Sequence, residues 1–115
     1  MERRSFVLML SLGWTTVSRE SDATQLASTL VLERLAVCVQ IEGPLNSVYL
    51  WQGKLERTEE FRLLIKFLPE RAQDLEHRLL RDHPYDIPEW VVISANYVSE
   101  KYLSWAQQSS TSDPL

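Results

Sequence analysis

The sequence predicts an α+β domain of ferredoxin-like type: β-α-β-β-α-β plus a C-terminal helix, on an antiparallel sheet with a long hairpin between its second and third strands. Three observations predict it. An apolar run near the start gives way to a stripe of helical period. A long segment then alternates with period two about a single turn signal. A second helical stripe follows and leads into a short β-branched run. Two β-α-β units sharing one sheet is what that order describes.

The first strand is expected over Phe6 to Leu12, apolar on both faces and bounded by Gly13. Arg3 and Arg4 before that run give it a superficial likeness to a secretory leader. The run is short and no small-x-small cleavage site follows, so a strand is the better reading. The first helix is expected over 19–35, with Ala23, Leu26, Ala27, Leu30 and Val31 on one stripe. Ser18 suits its N-cap, and Glu20 and Asp22 sit where the helix dipole favours negative charge.

The alternating segment "AVCVQIEGPLNSVYLWQGKLERTEEFRLLIKFLP" reads as a hairpin turning at Gln52-Gly53, because glycine tolerates positive φ. Such a turn pairs Leu50 with Leu55. Joining the two apolar faces farther down requires Ile41 opposite Leu63, a register displaced by one residue. A β-bulge must absorb the difference, and Gly43-Pro44 is where it is expected. Pro69 opens the second helix, whose stripe is Ala72, Leu75 and Leu79 and which ends before Pro84. "PEWVVISAN" contains the last strand. Ser99 precedes a final helix carrying Tyr102, Leu103 and Trp105. Residues 1–107 are read as one domain and 108–115 as a polar tail.

A net charge of -4 without a clustered basic run argues against nucleic acid, and no segment is long enough to span a bilayer. Cys38, the single cysteine, excludes an intrachain disulfide and suits a buried position in a reducing, cytoplasmic compartment. The sequence has no glycine-rich phosphate loop, no paired-cysteine cluster and no histidine pair at helix-face spacing. His77, between Glu76 and Arg78, reads as a solvated residue. His83 in "HPYDIPEW" is read either as a cap on the last carbonyls of its helix or as a ligand for copper or zinc beside Asp82, Asp86 and Glu89. Asp86 and Glu89 lack a partner nucleophile, so an enzyme is not expected. Tyr49 and Trp51 alternate with Val48 and Leu50. Two apolar faces so far from two small helices exceed what one chain can cover, which implies self-association.

The segments "LVLERLAVCVQI", "SVYLWQGKLE", "IKF", "HPYDIPE" and "YLSW", in that order, resemble the motifs of the CutA divalent-cation-tolerance family over about residues 5–107. The resemblance implies a tight homotrimer in which long hairpins extend neighbouring sheets, with Tyr49 and Trp51 in the interface. It also implies an architecture like the PII signalling proteins, with clefts between subunits, and a link to tolerance of copper and other divalent cations. Some bacterial members have a cysteine closing the first strand and two histidines before Pro-Tyr. Thr15 stands at that cysteine position, Asp82 replaces the first histidine, and His83 matches the second.

The expected function is therefore a homotrimeric, non-enzymatic module that needs no cofactor and binds Cu2+ or another divalent cation weakly. His83, Asp82 and Thr15 are the candidate ligands. The alternatives are a PII-like small-molecule sensor with Trp51, Lys54 and Tyr85 in an intersubunit cleft, or a trimeric scaffold for a protein partner.

Overall fold

The computed structural model describes residues 9–111. The elements run β1 (Ser11–Val17), α1 (Glu20–Leu32), β2 (Cys38–Trp51), β3 (Lys54–Phe67), a 3-10 turn (Pro69–Arg71), α2 (Ala72–Asp82), β4 (Val91–Ser94) and α3 (Glu100–Thr111). The four strands form one antiparallel sheet in the order β2-β3-β1-β4, so the ferredoxin-like α+β expectation holds.

The main core lies between one sheet face and the two longer stripes. Val17, Leu63, Ile65 and Phe67 meet Leu26 and Leu30 of α1 and Leu75 and Leu79 of α2. Inward residues of β3 are all odd-numbered there, as period two requires. A second cluster joins Leu10, Val37, Leu68 and Val98 to Leu103 and Ala106 of α3, with Leu12 and Cys38 packed against it. Tyr102 receives the Lys66 ammonium 5.4 Å from its ring centroid.

The hairpin follows the expected register. Leu50 pairs with Leu55, Ile41 pairs with Leu63, and the shift falls between Glu42 and Leu45. Gly43 and Pro44, joined by a cis peptide bond, together oppose Phe61. Gln52 and Gly53 both have positive φ, 52° and 78°, as a type I′ turn demands.

Three local expectations need correction. The central strand is Ser11–Val17, later than the apolar run that suggested it; residues 6–8 of the expected strand lie outside the described residues. The core-facing members of β1 are Ser11, Gly13, Thr15 and Val17, three of them small or polar, so hydrophobicity did not mark the strand. A Cβ on Gly13 would clash with the Trp90 ring, which therefore occupies the place of a side chain. Arg19, not Ser18, is the N-cap of α1, and no side chain caps it. Finally, α3 continues through Thr111, into the stretch from 108 that was read as a polar tail.

Candidate functional site

Pro84 and Pro88 stiffen the connector between α2 and β4. Its first residue, His83, points back into the body and is only 8% exposed. The Tyr85 backbone N–H donates to His83 Nδ1 at 3.0 Å. Nδ1 must then carry the lone pair, which leaves the proton on Nε2. That nitrogen lies 3.0 Å from the Thr16 carbonyl, its acceptor, and 3.0 Å from Thr15 Oγ1. Burial holds the imidazole below its usual pKa, opposed by the Thr16 carbonyl and the charges of Glu60 and Asp22. His83 stands at the C-cap position of α2, but its ring is a neutral clasp between the connector and the end of β1 and does not bond the helix's last carbonyls.

The connector and the outer side of the hairpin enclose a groove of about 690 Å³. Period two brings Tyr49 and Trp51 to this side. The register set by the Gln52-Gly53 turn puts them on the same face as Glu56 and Glu60, since Leu45 pairs with Glu60 and Tyr49 with Glu56. Tyr85, Asp86, Ile87 and Glu89 supply the opposite wall. Tyr85 Oη donates to Glu60 Oε2 at 2.7 Å. Burial first, and then this bond to a carboxylate, push the Tyr85 hydroxyl far above its ordinary pKa. Desolvation and the charge of Glu60 raise the Glu89 carboxyl, against a smaller opposing pull from Arg62. Arg62 is itself bound to Glu42 at 2.7 Å.

The structure brings some expected site residues together and separates others. Thr15 does meet His83. Asp82 turns away and pairs with Arg78 at 2.9 Å and Arg81 at 3.2 Å; the Arg78 bond holds its carboxyl below the usual range. Among the described residues no group of three or more His, Cys, Asp or Glu is arranged to hold a metal ion. With both His83 nitrogens engaged and Asp82 held by arginines, the donor set does not fit a resident divalent ion. Trp51 and Tyr85 share the groove, whereas Lys54, opposite Trp51 in the ladder, is not among its lining residues. Glu60 and Glu56 went unremarked in the sequence. Their even numbering, read through the Gln52-Gly53 turn, was the signal that could have placed them beside Tyr49 and Trp51.

Residues 11–109 match the family model described as CutA1 divalent ion tolerance protein. The chain is 37% identical to the divalent-cation tolerance protein CutA of Thermus thermophilus over 83% of its own length and 92% of that protein's. It is 33% identical to the chloroplastic protein CutA of Arabidopsis thaliana over 96% of its length, and spans 60% of that longer relative. The solved structure of CutA from Synechococcus elongatus superposes with a TM-score of 0.87 at 38% identity, covering 90% of this chain and 92% of that one.

Proposed function

The chain belongs to the CutA1 divalent ion tolerance protein family, and from that premise we propose that it works as a homotrimeric binding module linked to divalent-cation tolerance, and not as an enzyme. One observation carries the trimer. The distal hairpin is apolar on both faces, with Leu50 72%, Leu55 74% and Trp51 49% exposed in the single chain. Val91, Val92 and Ile93 of the edge strand β4 are exposed as well. Apolar surface of this extent beside open strand edges calls for association. Sedimentation equilibrium at micromolar concentration is expected to show one species of three chain masses; a monomer would overturn the reading.

Copper or another divalent cation enters this proposal as a weak ligand of the assembled protein. The His83, Asp82 and Thr15 set is engaged elsewhere, so no metal-dependent step is placed there. Calorimetric titration of copper chloride into wild type and His83→Gln is expected to give matching isotherms. Loss of binding in the variant would restore His83 as a ligand.

The convergence of Trp51 and Tyr85 on one groove favours a second reading, a small-molecule sensor of PII-like design whose groove a neighbouring subunit would border. Among the described residues no helix is long and apolar enough to cross a membrane. A cytoplasmic setting is part of the proposal and rests on the unpaired Cys38.

A further inference from the structure

The groove between hairpin and connector holds negative charge that its own walls leave unmatched. Glu56, Glu60, Asp86 and Glu89 line it, and no lysine or arginine is among its described lining residues. Glu60 matters most. It is only 7% exposed, and its Oε2 accepts the hydrogen bond of the Tyr85 hydroxyl. A largely buried carboxylate with no cationic side chain among the groove's described lining residues favours a cation beside it. The same groove carries the aromatic side chains of Tyr49, Trp51 and Tyr85, and its volume of about 690 Å³ falls in the range of small-molecule sites.

We propose that this groove binds a small organic cation, a guanidinium or primary ammonium on a flat or aliphatic body, with Glu60 as charge partner and Trp51 and Tyr85 as aromatic walls. This deepens the small-molecule reading given above and rests on it. Charge complementarity selects a cation. The aromatic walls select an organic one, because a ring face attracts a weakly hydrated cation and offers no donor to a metal. The lack of a three-ligand cluster among the described residues points the same way. The Glu89 carboxyl is raised first by desolvation and then by the charge of Glu60, as for carboxylates facing each other across a partly desolvated groove.

The test uses the full chain after its mass in solution has been fixed by sedimentation. Benzamidine hydrochloride is titrated at neutral pH and followed by calorimetry and tryptophan fluorescence. Neutral benzamide and calcium chloride serve as comparisons. Saturable benzamidine binding is expected, with no saturation by benzamide and no displacement by calcium. Glu60→Gln preserves an oxygen acceptor for Tyr85 but removes the charge, and should weaken benzamidine at least about tenfold. Glu89→Gln, at an exposed position, should weaken it several-fold and stands in if the Glu60 variant misfolds. Equal binding of benzamide, displacement by calcium, unchanged affinity in the variants or no saturable binding would each overturn the inference. A trimer that does not bind overturns this inference alone. A monomer that binds leaves it standing and removes the trimer.

Discussion

His83 commits both ring nitrogens to positions fixed by the fold, one to the Tyr85 N–H and one to the Thr16 carbonyl. A second ring proton would sit on Nδ1 and face the Tyr85 donor, so the clasp exists only with a neutral ring. The folded pKa lies below the ordinary 6.5, with burial as the first cause. The unfolded chain therefore binds the proton more readily, and stability contributed by His83 is present above that pH and lost as pH falls from there towards the folded value. Urea unfolding of wild type and His83→Gln should show a stability difference that narrows between neutral pH and about pH 5. A constant difference would count against the neutral clasp. The sequence made His83 conspicuous by placing it before Pro84 at a helix end. The family resemblance set Thr15 beside it, but the Thr16 carbonyl went unnamed, because β1 pairing within the sheet brings it there.

The hairpin is the element whose construction was most legible. Two apolar patterns of opposite parity must share one face, and that mismatch alone locates the bulge. Gly43 has φ of 148°, and a Cβ there would meet the Phe61 ring at 2.7 Å and the Glu60 carbonyl at 3.0 Å. Gly43→Ala should therefore destabilise the protein by about 3 kcal/mol, through backbone strain and overpacking together. Chemical denaturation at fixed protein concentration checks this; a loss below about 1 kcal/mol would mean the bulge can be rebuilt with a side chain. The first strand was the least legible element. Its inward side offers Gly13 and Thr15 where a strand signal needs large apolar residues, since Trp90 fills the space over Gly13 and Thr15 meets His83.

At the scale of the molecule, the principal extents are 55 × 32 × 22 Å and the radius of gyration is 15.6 Å. A compact chain of this length would have a radius of about 13 Å. The excess is the hairpin, which projects past the layer formed by α1 and α2. Leu50 is 72% exposed in the single chain, so Leu50→Asp should change the stability of an isolated subunit by less than about 0.5 kcal/mol. In the proposed trimer the same substitution buries a charge in an interface and should drive the species towards one chain mass. Its melting temperature should then become lower and no longer rise with protein concentration. Unchanged sedimentation would place Leu50 outside any interface.

By itself, the sequence determined the element order, the turn at Gln52-Gly53, the bulge and the two helical stripes. These depend on period, parity and local backbone preference, which neighbouring residues carry. It also showed the apolar surplus of the hairpin. Only the tertiary structure decided that Thr15 and His83 form a clasp without Asp82, that Glu60 is buried beside Tyr85, and that Trp51 shares one groove with four carboxylates. Those relations join residues far apart in the chain. Their energies come from burial and from hydrogen-bond geometry, which exist only once the sheet has closed and its helices have packed on it.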